Sequence, residues 1–269
     1  MALVLLLLFG TWILTAWRWA VLLRAAEIPL PFLQVVRLNL VGAFFNLAVP
    51  GATGGDVVKA WYAARATKRG VRAFLSVFVD RLVGLVGLAF FAALALFAGP
   101  SRAGYGPARL VVLVALAGLL LGGTILLSRR LRRWLGLAFV ARRLPFRGFI
   151  TEAGAALALY RKKPGALAFS LLLSLSNHAI AGTVVWLLAR ALDIQGLDLP
   201  TVLALVPVAN LFGVIPLLPG GWGVGEVAFA YFFGQVGVPA TEAVSLSVVY
   251  RLGMLVVSLP GGALWLFLR

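Results

Sequence analysis

The chain has no cysteine, one histidine and eight acidic residues among 269. Without thiols there is no disulfide staple and no thiolate metal site. No Asp-x-x-Asp or His-x-x-x-His spacing occurs among the few carboxylates and the lone imidazole. A membrane-embedded hydrolase or transferase would want clustered carboxylates with a metal, or a nucleophile with a base, so enzyme chemistry and a bound cofactor are not expected. No nucleotide-binding motif is present, so hydrolysis within this chain is not expected to drive any transport. Charge of either sign is also scarce. Only 12% of residues are charged, against roughly 25% in soluble domains, and water is therefore not the main solvent of this surface.

What the chain has instead is long apolar runs, 62% of it being hydrophobic. Leu3–Trp17, Val35–Val49, Phe74–Ala98, Leu110–Ser128, Leu167–Ala189, Thr201–Leu218 and Ala243–Leu268 are each long enough, or nearly so, to cross a hydrocarbon core of ~30 Å at ~1.5 Å per helical residue. The expected fold is an all-α polytopic membrane protein, one domain over 1–269, with about seven transmembrane helices. The first run has no basic residue before it and leads into Trp17-Arg18-Trp19, an interfacial flank, so it reads as a span rather than a cleaved leader.

Net charge is +16, and its placement sets topology. Arg129, Arg130, Arg132, Arg133, Arg142, Arg143, Arg147, Arg161, Lys162 and Lys163 share one interval with only Glu152 opposing them. Interleaved apolar residues such as Trp134, Phe139 and Phe146 make 129–165 an amphipathic cytoplasmic segment lying among the headgroups. Basic clusters beside spans are ordinary topology determinants, and a nucleic-acid partner is not expected. Lys59, Arg65, Lys68, Arg69 and Arg72 form a second cytoplasmic cluster, which leaves Ser101–Pro107 outside. The orientation of the amino terminus stays open.

Glycine and proline interrupt the apolar pattern twice. Pro50-Gly51-Ala52-Thr53-Gly54-Gly55-Asp56 follows the second run, and Pro219-Gly220-Gly221-Trp222-Gly223-Val224-Gly225-Glu226 follows the sixth. The pieces behind them, Val57–Ala66 and Val227–Val236, are too short to span and read as re-entrant. An ungapped shift of 170 residues lays Gly51, Gly55, Val57, Arg81 and Leu82 on Gly221, Gly225, Val227, Arg251 and Leu252, with Asp56 on Glu226. An internal repeat is expected, copy one over about 35–98 and copy two over about 201–268. Paired interrupted segments are the best sequence pointer to a transporter's site.

The chemistry fits an anionic headgroup. A helix opening after a glycine break aims unpaired N–H groups and its positive dipole end into the cavity, and Gly54, Gly55, Gly220, Gly221 and Gly223 would let a headgroup approach the backbone. Asp56 and Glu226 could cap those helices, bind a cationic headgroup or coupling ion, or pair with an arginine of the following span. Arg81 and Arg251 lie within long apolar helices, where an unpaired cation costs ~2.5–3.5 kcal/mol. Asp80 cannot fold back onto Arg81, because neighbours point about 100° apart. Partners on other helices are expected, either locking the copies together or leaving the cations for phosphate. Asn46 and Asn210 precede the breaks and would satisfy loose backbone groups, and His178 reads as an interhelical hydrogen-bonder. Gly118-Leu-Leu-Leu-Gly122 fits close helix packing.

Asn46…Pro50…Gly54-Gly55-Asp56, then Asp80-Arg81-Leu82, then Leu218-Pro219-Gly220-Gly221-Trp222-Gly223-Val224-Gly225-Glu226, then Tyr250-Arg251-Leu252, resemble the flippase-like membrane family that includes the transmembrane region of lysylphosphatidylglycerol synthases. The resemblance implies a cytoplasmic-membrane translocase for a phospholipid or a lipid-linked polyprenyl phosphate. It implies a substrate site drawn from Asn46, Gly54, Gly55, Asp56, Asp80, Arg81, Asn210, Gly220, Gly221, Gly223, Glu226, Tyr250 and Arg251. Asp56 stands where relatives commonly carry glutamate. Nothing in the sequence resembles the cytosolic aminoacyl-transferase domain of the bifunctional synthases, so lysyl transfer is not expected. A scaffold subunit for an envelope-synthesis enzyme, and a lipid-modifying enzyme, are the competing readings.

Overall fold

The computed structural model describes residues 1–48, 54–67, 69–99, 104–128, 157–213 and 222–267. These residues form helices and short connections with no strand among them. The helices are α1 (Ala2–Ala25), α2 (Phe32–Ala48), α3 (Gly54–Thr67), α4 (Gly70–Ala98), α5 (Gly106–Leu127), α6 (Pro164–Ala191), α7 (Leu199–Phe212), α8 (Val224–Gly234) and α9 (Ala240–Leu266), with one further turn of helix over 157–161. Five of them, α1, α4, α5, α6 and α9, are long and apolar enough to cross a membrane. The second and sixth apolar runs give shorter helices, α2 and α7, and residues 49–53 and 214–221 after them lie outside the described set. Most of the basic amphipathic segment, 129–156, lies outside it too.

Two apolar clusters mark the ends of the bundle. One joins the last turns of α1 to the start of α2, with Trp19, Leu22, Ile28, Val35, Leu38, Ala73 and Tyr160. Arg69 donates to the Glu27 carbonyl and Arg72 lies 3.5 Å from the Glu27 carboxylate, so the described basic residues between α3 and α4 sit at this end. Tyr160 donates to Leu22 O at 3.2 Å, and burial raises its phenol above the ordinary range. The other cluster contains Val4, Leu8, Leu96, Tyr105, Leu188, Ile194, Leu197, Val202 and Phe233. There Asp198 caps α7 by accepting from Thr201 N at 3.1 Å, satisfying one of the helix's orphan donors. Helix α2 therefore starts at one end of the bundle and α7 at the other.

Packing between the two blocks α2–α4 and α7–α9 is reciprocal. Helix α2 lies against α9, and α7 against α4. At the first crossing Gly261 faces the Leu40 carbonyl and Gly262 the Phe44 ring, where any Cβ would intrude. Small residues of this kind allow the close backbone approach that holds membrane helices together. The short helices begin at Gly54 and Val224, the long ones after them at Gly70 and Ala240, in both cases 170 residues apart.

Gly118 and Gly122 do not serve close packing among the described residues. No atom of another element lies within 4 Å of where their Cβ atoms would sit. Helix α5 contacts mainly α4 and presents Leu113, Leu120 and Leu121 outward. The four-residue spacing allows close approach, but only a facing helix makes use of it.

Candidate functional site

The start of α3 shows how the first glycine break is used. Helices α2 and α3 cross with the Gly55 Cα against the Gly42 carbonyl, leaving no room for a side chain. Asn46 Oδ1 accepts from Gly55 N at 2.9 Å, satisfying one orphan donor of the new helix. Asn46 thus does what its position predicts. Gly55 does not: it is buried between helices and its N–H is taken, so it exposes no backbone to a ligand.

The next residue, Asp56, pairs with Arg81 of α4 and lies 3.8 Å from Lys59. Lys59 reaches inward. Its ammonium is 3.3 Å from Asp80 Oδ2, donates to Asn39 Oδ1 at 3.5 Å, and sits 4.6 Å from the centre of the Trp19 ring. The other Asp80 oxygen accepts from Arg18 Nε of α1 at 2.8 Å. Arg18 Nη1 then donates to Ser174 Oγ of α6 at 3.2 Å. Gly84 makes room, since a Cβ there would stand 3.1 Å from the Arg18 guanidinium. His178 Nε2 lies 3.3 Å from Gly84 O and 3.4 Å from Ser174 Oγ, an interhelical contact as expected of a lone membrane histidine.

Five charges are thereby strung from α3 through α4 to α1. Lys59 and Asp80 are 4% exposed and Arg18 8%, whereas the Arg81 side chain is 36% exposed. Each buried cation has a carboxylate within reach, which is what makes it tolerable away from water. All five line a cavity of about 640 Å³, together with Asn39, Asn46, Asn177 and His178. Its apolar lining includes Val57, Phe74 and Phe78, which are themselves exposed, so the cavity is not sealed.

The family model described as the lysylphosphatidylglycerol synthase TM region matches residues 1–261. The chain belongs to that family. A curated relative, the UPF0104 membrane protein PH1989 of Pyrococcus horikoshii, is 27% identical over 264 residues, which is 87% of this chain and 76% of the relative. Membership and the five long apolar helices make the chain a multi-pass membrane protein.

In this family member the residues expected to form one site are divided. Asn46, Asp56, Asp80 and Arg81 line the cavity. Gly54 opens α3 and is not among the cavity's lining residues. Asn210, Glu226, Tyr250 and Arg251 are not among its lining residues. Glu226 pairs with Arg251 at 2.9 Å, Arg251 lies 5.8 Å from the Trp222 ring centre, and its guanidinium occupies the space a Cβ on Gly225 would take. Gly223 precedes α8 with φ of 80°, a conformation that favours glycine. Gly220 and Gly221 lie outside the described residues. Both arginines thus find carboxylates on the preceding short helix, as the insertion cost demands. The described cavity, however, lies against the first block with α1 and α6, not between the two blocks.

Two charged members were misplaced by reading along the chain. Arg18 is not an interfacial flank and Lys59 is not part of the cytoplasmic basic cluster. Both point into the bundle because Asp80, fully enclosed, needs cations that Arg81 cannot supply from the next position on the same helix. Asp56 and Lys59 at i,i+3 were a local hint.

Proposed function

We propose that the chain is a lipid translocase of the cytoplasmic membrane, passing the phosphate-bearing headgroup of a phospholipid or lipid-linked polyprenyl phosphate through this cavity while the tails stay in the bilayer. No covalent step is involved. The carrying observation is a charged cluster graded from enclosed Asp80 to accessible Arg81, set in a largely apolar cavity lined by the exposed rings of Phe74 and Phe78. A partly exposed apolar wall suits tails, and guanidinium and ammonium groups suit phosphate.

The two blocks read as inverted copies, since α2 and α7 start at opposite ends of the bundle. Helices α3 and α8, of 14 and 11 residues, extend about 21 and 16 Å and read as re-entrant in a core of ~30 Å. With the basic end cytoplasmic, the amino terminus lies outside.

The test is reconstitution into liposomes containing a phospholipid with a fluorescent headgroup, followed by membrane-impermeant quenching. The protein is expected to speed headgroup exchange between leaflets, and Arg81→Gln or Lys59→Gln to slow it about tenfold or more, as for a lost barrier-lowering contact of ~1.4 kcal/mol. No acceleration over protein-free liposomes, with any lipid class, would overturn the reading and leave the scaffold role.

A further inference from the structure

Most polar side chains around the cavity are committed to one another. Asn39 Nδ2 donates to Trp12 O at 3.1 Å and to Thr15 Oγ1 at 3.0 Å, and its Oδ1 accepts from Lys59. Thr15 Oγ1 in turn donates to Trp12 O at 2.9 Å. Asn46 holds Gly55 N, while Arg18 and His178 both reach Ser174. Two lining atoms among the described residues stand apart. Trp12 Nε1 and Asn177 Oδ1 are buried with no hydrogen-bond partner. Buried polar groups are almost always paired, because an orphan gives up its hydration with nothing in return.

The two atoms belong to one end of the cavity. Helix α1 runs from the apolar cluster of Val4 and Leu8 to that of Trp19 and Leu22, and α6 runs the opposite way, from Leu167 to Leu188. The bond from Arg18 to Ser174 ties their levels together. Trp12 lies six residues before Arg18 and Asn177 three after Ser174, which is about 9 and 4.5 Å along the axes in the same direction. Both residues are thus on the side of Arg18 away from the basic end of the bundle, within about 5 Å of each other in height.

An indole N–H only donates and an amide oxygen only accepts. Phosphate oxygens satisfy the first alone. A primary ammonium satisfies the second alone and would sit one turn from the Arg18 guanidinium, and a quaternary ammonium satisfies neither. Adjacent hydroxyls satisfy both, since each gives one hydrogen bond and accepts others. The cavity, of about 640 Å³, is of the size that takes a small ligand.

We infer that this end of the cavity is a hydroxyl subsite, in which Trp12 and Asn177 hold a sugar or polyol attached to the lipid phosphate. This deepens the translocase reading and rests on it for its purpose, but headgroup preference in binding is measurable apart from transport. The probes are short-chain phosphatidylinositol, phosphatidylethanol and phosphatidylethanolamine, competed against one another on the purified protein and read by native mass spectrometry. The first two carry the same single negative charge and differ in the hydroxylated ring, so the total charge of the cavity does not enter their comparison.

Phosphatidylinositol is expected to bind about tenfold or more tighter than either of the others, as two recovered hydrogen bonds would give. Trp12→Phe and Asn177→Leu should each lower the ratio of phosphatidylinositol to phosphatidylethanol affinity about threefold or more. Arg81→Gln should weaken both lipids and leave that ratio standing. Glycerophosphoinositol, which has the headgroup but no tails, should not displace phosphatidylinositol at equal concentration. Equal binding of phosphatidylinositol and phosphatidylethanol, a preference for phosphatidylethanolamine, or displacement by glycerophosphoinositol would each overturn the inference. So would a ratio untouched by Trp12→Phe and Asn177→Leu, or one lost in Arg81→Gln. Should Asn177→Leu not fold, the unsubstituted protein and Trp12→Phe still decide. Lipid movement without a hydroxyl preference would defeat the inference and spare the translocase reading. A hydroxyl preference without movement would do the reverse.

Discussion

Replacing Asp80 by asparagine keeps the shape of the side chain and removes the one carboxylate that serves two enclosed cations. Arg18 lies 2.8 Å and Lys59 3.3 Å from its oxygens. At an effective dielectric of ~20 these distances correspond to gross attractions of about 6 and about 5 kcal/mol. Against that stands the desolvation of the carboxylate itself, several kcal/mol, which the substitution recovers. The net loss is therefore about 3–5 kcal/mol, the range found when one partner of a buried ion pair is removed. Asp56 cannot take over, being 3.8 Å from Lys59 and already paired with Arg81. The measurement is stability in detergent by chemical or thermal unfolding, run as a double-mutant cycle with Lys59→Gln. Because the second substitution removes a cation left without its counter-charge, Asp80→Asn/Lys59→Gln should regain about 1–3 kcal/mol over Asp80→Asn alone. A loss below about 1 kcal/mol in the single variant, or a double variant less stable than the single, would show that the three charges are not a coupled buried network.

Gly55→Ala would push a methyl into the Gly42 carbonyl, a backbone atom that cannot swing away, so a loss of about 1–3 kcal/mol or more is expected in thermal unfolding. Gly225→Ala meets only the end of the Arg251 side chain and should cost less in the same assay. Trp19→Phe removes the 3.1 Å bond from Nε1 to Ser76 Oγ and weakens the ring under Lys59, for a loss of about 1–3 kcal/mol read the same way. Gly118→Ala meets nothing within 4 Å and should be neutral or stabilising by up to about 1 kcal/mol, and a marked loss would reveal a close partner for α5.

Much of the fold is legible along the chain, because a membrane lets apolar length alone announce a helix and lets Pro and Gly announce its interruption. The short helices behind both breaks, the 170-residue register and the acid-to-arginine pairs at a separation of 25 were all readable from residue order. Arg18 and Lys59 were not, and the reason is geometric. Each sits beside aromatic or basic neighbours that look interfacial in one dimension, and only the packing of α1 against α4 and α6 turns Arg18 inward. The missing information was nevertheless present in the repeat, in its differences. Matching residues in the two blocks report what the architecture needs twice: a glycine early in each short helix, Gly55 and Gly225, and a carboxylate for each arginine. Positions where the copies diverge in kind report what is needed once. Lys59 against Phe229, Asp80 against Tyr250 and Gly84 against Met254 exchange a cation, an anion and the space for a guanidinium for two buried aromatic rings and a half-buried thioether at equivalent points on the backbone. Burying charge is unfavourable compared with burying a ring. The same backbone accepts buried rings at Phe229 and Tyr250, so the charges at the equivalent points of the first block are the feature on which the proposed translocation rests.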